Sequence, residues 1–126
     1  MVKVLVFEND DQSRDRFAFL YQGLCNSTKT QVPRELARLK AEGSVRKKLE
    51  AISTADAAPD GRFKYTTRTL REAAIVELDA DEIAILIDYV PAVAWTMAVA
   101  DLVADAVEWV SVAPEKSAYE KAKATA

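Results

Sequence analysis

The distribution of apolar residues predicts an α+β fold, mostly helical, with a small sheet packed against C-terminal helices. Three observations carry this prediction. Residues 2–7 and 73–78 are short β-prone runs, and residues 63–69 alternate between Phe63, Tyr65, Thr67, Thr69 and the intervening Lys64, Thr66, Arg68. Elsewhere the apolar positions recur at helical spacing. Half of the 126 residues are apolar and only three are glycine and four proline, which is the composition of a folded chain. A chain of this length fits one domain, expected over residues 1–115, followed by a polar tail at 116–126.

Each element has a local reason. Val2-Lys3-Val4-Leu5-Val6-Phe7 reads as a buried strand ended by the turn and helix-cap cluster Asn9-Asp10-Asp11. Phe17, Leu20, Tyr21 and Leu24 then mark an amphipathic helix over residues 11–24, followed by a polar loop at 26–31. Pro33 suits the first turn of a helix carrying Leu36 and Leu39, with Gly43 as its stop. Ser44 is a cap for a second short helix with Val45, Leu49 and Ile52 facing inward. Turn chemistry at Pro59-Asp60-Gly61 closes a loop over residues 55–61.

After the two strands, Asp79-Ala80-Asp81-Glu82 has capping-box spacing and opens a helix with Ile83, Leu86, Ile87 and Val90 on one face. Pro91 ends that helix and is placed to begin another, running to residue 112. This last helix carries a wide apolar set that includes Trp95, Val99, Leu102 and Trp109, with Asp101, Asp105 and Glu108 sharing one polar face. A surface so apolar calls for a central place in the core or for a partner. The three carboxylates read as the wet side of the helix, because a metal site needs ligands converging from several elements.

Charge is segregated along the chain. Residues 72–115 carry ten carboxylates and no lysine or arginine, whereas residues 31–71 carry ten basic residues against five acidic ones. The whole chain averages only −3. Charge of one sign on one segment favours a partner of opposite sign, within the chain or outside it. Within the basic segment, Arg46-Lys47-Lys48 would open the second short helix and oppose its dipole, at about 0.3–1 kcal/mol each. With Arg34 and Arg38 they form the candidate anion or nucleic-acid contact.

Composition also excludes chemistry. There is no histidine, which removes the commonest general base, the usual zinc ligand and every Ser–His or Cys–His nucleophile pair. The expectation is therefore a protein that is not an enzyme, with no catalytic residues, metal or cofactor. The lone Cys25 has no disulfide partner within the chain and suits a reducing compartment, read as cytoplasmic. Charged residues interrupt the first 25 positions, so no signal peptide is expected, and the longest uncharged apolar run (residues 89–100) is too short to span a bilayer.

Two resemblances bear on function. Val4-Leu5-Val6-Phe7-Glu8-Asn9-Asp10-Asp11 with Arg14 resembles the start of a response-regulator receiver domain, and Arg71-Glu72-Ala73-Ala74-Ile75-Val76 resembles that family's fourth strand. The likeness ends where the phosphoacceptor chemistry belongs: Asp56 does not end an apolar strand, and Ala113 stands where a lysine should precede Pro114. The second resemblance covers residues 34–112. Lys48-Leu49-Glu50-Ala51-Ile52, Tyr65-Thr66-Thr67-Arg68-Thr69-Leu70-Arg71 and Ile75-Val76-Glu77-Leu78-Asp79-Ala80-Asp81-Glu82, followed by two apolar helices, look like small accessory proteins of tailed phages. That resemblance implies a phage-encoded protein in a bacterial host and leaves its activity open.

The leading functional expectation is a protein-interaction or assembly protein, binding a protein partner or itself. Its candidate surface comprises Trp95, Val99, Leu102, Trp109, Asp101, Asp105 and Glu108. The alternatives are a nucleic-acid-binding regulator using residues 34–71, whose outline resembles a helix-turn-helix, and an acidic mimic of nucleic acid that inhibits a host protein.

Overall fold

The computed structural model describes residues 1–55 and 68–124. Its element order is β1 (Val2–Phe7), α1 (Asp11–Asn26), a 3-10 turn (Thr28–Gln31), α2 (Leu36–Ala51), β2 (Ser53–Ala55), β3 (Arg68–Leu70), β4 (Ala74–Asp79), α3 (Ala80–Tyr89), a second 3-10 turn (Met97–Val99), α4 (Ala100–Ser111) and α5 (Lys116–Ala124). The fold is α+β and mostly helical, as the apolar pattern predicts. The expected turn at Pro59-Asp60-Gly61 and the first part of the 63–69 strand lie outside the described residues.

β1, at the start of the chain, pairs antiparallel with β4 in the register Val2↔Asp79 to Phe7↔Ala74. Both faces of this ribbon are used. Val4, Leu5 and Phe7 on β1 and Val76 and Leu78 on β4 are buried. Around them pack Phe17, Leu20 and Leu24 of α1, Val45 and Leu49 of α2, Leu86 and Tyr89 of α3, and Val103, Ala106 and Val110 of α4. Phe7 makes edge contacts with Phe17 and Trp109 at ring-centroid distances of 5.9 and 5.1 Å.

Two helix starts are those the cap residues predict. Asp10 accepts a hydrogen bond from the Ser13 amide at 2.8 Å and begins α1. Asp79 accepts from the Glu82 amide at 2.8 Å while the Glu82 carboxylate accepts from the Asp79 amide at 3.1 Å, closing the capping box of α3.

Three expectations are corrected. The strands form two ribbons, with β3 pairing with β2 in the register Ser53↔Leu70 and not joining β1 and β4. β2 itself lies where a helix end and a loop are expected. Second, the pair of helices over 33–53 is a single helix. α2 begins at Leu36, after Pro33, and runs through Gly43 and Ser44 without a break. A mid-helix glycine costs only about 1 kcal/mol. The continuous helix recovers more than that by burying Val45 and Leu49 and by sending Ser44 and Lys48 to Glu82 on α3.

Arg46, Lys47 and Lys48 consequently lie in the C-terminal half of α2, with Lys48 in the last turn, where the helix dipole favours cations. The expected opposition to a helix dipole does not exist, nor does the helix-turn-helix outline.

Third, the helix expected from Pro91 to residue 112 begins nine residues later, at Ala100. Residues 91–96 are held in a non-helical path by hydrogen bonds that compete with the helix. The Ala92 carbonyl accepts from the Thr28 amide at 2.8 Å, and the Val90 carbonyl accepts from the Trp95 indole at 2.8 Å. Beyond α4, Pro114 and Glu115 run along β1, where the Pro114 carbonyl accepts from the Val4 amide at 3.0 Å, and lead into α5.

Candidate interaction surfaces

The early end of the 91–96 segment leaves a groove beside α4. Pro91 and Trp95 form one wall, and Ala100, Val103, Ala104, Val107, Glu108 and Ser111 of α4 form the other. The α4 residues recur at intervals of three and four, so they are one face of the helix. The groove holds about 470 Å³ and is apolar except for Glu108 and Ser111 at its rim. Trp95 is fixed there by its indole hydrogen bond and by an edge contact with Phe19 at 5.8 Å. A preformed apolar groove along a helix is the geometry that receives a second amphipathic helix.

The predicted interaction residues divide between two sides of α4. Trp95 belongs to the groove, with Val99 packed on the core just before the helix begins. Trp109 lies on another side, against Phe7 and beneath the Arg16 guanidinium, which stands 5.0 Å from the ring. Asp105 joins that cluster through an ion pair with Arg16 at 3.2 Å. Leu102 is 49% exposed, and Asp101 and Glu108 are exposed. The structure thus does not bring the seven residues together as one surface. Arg16, Pro91 and Ala104 are contributors that the sequence reading leaves out of the surface. The i, i+3, i+4, i+7 run from Ala100 to Val107 is the signal that would have found the groove.

The basic candidates are mostly engaged within the chain. Arg34 donates to Glu42 at 2.9 Å and to the Thr30 and Val32 carbonyls at 2.7 Å each. Arg38 pairs with Asp88 and lies over the Tyr89 ring at 5.3 Å. Lys48 donates to Glu82 and to the Glu77 carbonyl, both at 2.8 Å. Arg46 has a looser partner in Glu50 at 3.6 Å and is 57% exposed. Lys47 is exposed and makes no ion pair with another described residue. The basic and acidic segments therefore meet within one subunit, chiefly across the α2–α3 contact.

A second cleft, of about 570 Å³, lies between α1 and α2 and holds Tyr21, Cys25, Arg46 and Glu50. Tyr21 donates to Glu50 at 3.2 Å, and burial pushes its hydroxyl well above the usual tyrosine range. Burial likewise raises the Cys25 thiol, which keeps it protonated and poorly nucleophilic at neutral pH. Among the described residues, no helix is long and apolar enough to cross a membrane. No protein-family model, curated protein or solved structure matches the chain.

Proposed function

We propose that this chain is a protein-interaction and assembly protein whose contact surface is the α4 groove, and that the groove receives a basic amphipathic helix. The observation that carries the reading is the groove itself: a concave apolar lining that includes Trp95 and Val107, rimmed by Glu108. The chemistry of the occupant follows from charge. Residues 72–115, which include every residue lining the groove, contain no cation, so an acidic helix would meet like charge and a basic one would not. The tailed-phage resemblance of residues 34–112 supplies the context we propose for such an accessory protein.

Trp95 is the reporter. In a Trp109→Phe background it is the sole tryptophan of the chain. Titration with a lysine- and alanine-rich helical peptide carrying one tyrosine should change Trp95 emission saturably. Ala104→Arg, which places a bulky cation in the exposed mouth of the groove, should abolish that change. An emission spectrum indifferent to the peptide, or one that shifts equally in Ala104→Arg, would refute the groove reading.

The nucleic-acid alternative no longer has a helix N-terminus to draw on, since Arg46, Lys47 and Lys48 lie in the C-terminal half of α2 with Lys48 in its last turn.

A further inference from the structure

We infer that the outer edge of β4 is a self-association site, where β4 of a second copy of this chain adds antiparallel across a twofold axis at Ile75. This surface is separate from the α4 groove, and the direction in which β4 presents its backbone defines it. The Val4 amide donates to the Pro114 carbonyl at 3.0 Å, so Val4 turns its peptide groups away from β4. Val4 stands opposite Glu77, and opposite residues of an antiparallel pair either both face each other or both face away. Glu77 therefore turns its N–H and C=O away from β1, and by alternation so do Ile75 and Asp79. Two further contacts agree. The Glu77 carbonyl accepts from the Lys48 ammonium at 2.8 Å, and the Asp79 amide donates to the Glu82 carboxylate at 3.1 Å.

The two edges of the ribbon are thus treated differently. Residues 114 and 115 cover the edge of β1. On β4, Lys48 and Glu82 close the end at 77–79. The Ile75 N–H and C=O and the Glu77 N–H make no hydrogen bond to another described residue. Ile75 is 45% exposed, at a kind of position where sheets that avoid pairing carry lysine or proline. Beside it an open cleft of about 480 Å³ lies between β4 and the end of α2, with Ala51, Ile52 and Val76 in its lining. Backbone donors and acceptors in this pattern are matched by another extended chain.

What selects a second copy is the fit of this edge to itself. The twofold at Ile75 sets Ile75 against Ile75 of the partner subunit, so two exposed apolar side chains cover each other and exchange both backbone bonds. Glu77 then stands opposite Ala73 of the partner subunit, and no like charges are opposed. Just before the strand, Glu72 is exposed and has no ion pair to another described residue. The register brings it to the Lys48 end of the partner's strand, where Lys48 spends two of its three donors within its own chain. Registers centred nearer Glu77 need the carbonyl that Lys48 already holds. A twofold also makes every contact twice, which compensates for a short edge.

Charge reversal at the axis tests the inference in the full-length chain. Ile75→Lys and Ile75→Glu change one exposed side chain and no bond of the β1–β4 ladder. Far-UV circular dichroism with urea midpoints checks that each variant folds. Sedimentation velocity should show a wild-type dimer, and each variant alone should dimerise at least about tenfold more weakly, because like charges meet at the axis. Mixed together, the two variants should recover association, since opposite charges then meet there. Amide exchange at Ile75 and Glu77 should slow as the wild-type concentration rises.

A wild-type chain that stays monomeric at millimolar concentration overturns the inference. So does a dimer that both charge variants leave unchanged, which places self-association elsewhere. Loss in both variants without recovery on mixing rejects the twofold at Ile75. None of these outcomes alters the response of Trp95 to the basic peptide, so the groove reading stands or falls on its own test.

Discussion

Gly23 should be less replaceable than Gly43, the other described glycine, and the reason is a single close approach. It lies on the buried face of α1, against Val90 at the end of α3. A Cβ at position 23 would sit 2.7 Å from Val90 Cγ1 and 2.9 Å from Val90 Cα. The methyl can rotate away, but the Cα cannot, so the end of α3 must move off α1. Overpacking of this kind costs about 1–3 kcal/mol, and a clash with backbone belongs at the upper end. Against it, alanine in a helix interior gains about 1 kcal/mol over glycine. The net expectation for Gly23→Ala is a loss of about 2 kcal/mol, roughly a thirtyfold fall in the folding equilibrium constant.

Gly43 is the control. It too is inside a helix, but nothing lies within 4 Å of its would-be Cβ. Gly43→Ala should therefore raise stability by about 1 kcal/mol, the propensity difference alone. Urea unfolding of both variants, with unchanged slope, reads the comparison directly. If Gly23→Ala unfolds at the same urea concentration as wild type or higher, the close-packing account of the α1–α3 contact is wrong.

Other tests address the polar contacts. Asp79→Ala removes half of the capping box of α3 and should cost about 1 kcal/mol by thermal or urea unfolding. Lys48→Met should cost about 1–3 kcal/mol, because the Glu82 carboxylate is only 3% exposed and would be left with the Ser44 hydroxyl and the Asp79 backbone amide as its hydrogen-bond donors. A double-mutant cycle with Glu82→Gln should recover part of that loss, and additive effects would mean that the two side chains are not coupled. Raising the pH should destabilise the fold. Burial raises the acid groups of Cys25, Tyr21 and Tyr89, so the neutral forms favour the folded state. Their contribution is complete below the unfolded values, about 8.5 for cysteine and 10 for tyrosine, and is lost as pH climbs beyond them. Unfolding midpoints should hold between pH 7 and 8 and fall above about pH 10, and a midpoint that rises there would contradict the assignment.

What the sequence made legible was set by local chemistry. α1 and α3 are readable because Asp10 and Asp79 supply both the cap and the boundary, and the buried positions behind them keep one helical phase. α2 is misread because Gly43-Ser44 is a stop signal only when nothing distant outweighs it, and the contacts that do so come from Glu82, 38 residues away from Ser44. β2 is too short to have a pattern of its own and exists through its pairing with β3. The surface fails for a geometric reason. Positions 95, 99, 102 and 109 share a face only on a continuous helix, and the helix begins at Ala100. Once Thr28 and Trp95 hold residues 90–96 out of the helix, Trp95 loses its phase with Trp109, and the groove opens on the side that the wheel did not single out.

The segregation of charge then has a different meaning from the one its sequence suggests. Part of the imbalance is consumed in folding: Arg38 with Asp88, Lys48 with Glu82, Arg16 with Asp105 and Lys116 with Glu77 tie the acidic segment to cations elsewhere in the chain. Only the Lys48–Glu82 pair is substantially buried, on the Glu82 side, so the others act more on orientation than on stability. They bring α2 to α3 and α1 to α4 in one register, because the wrong register would oppose like charges. Asp101 and Glu108 on α4 are left without an ion pair to any described residue, beside an apolar groove.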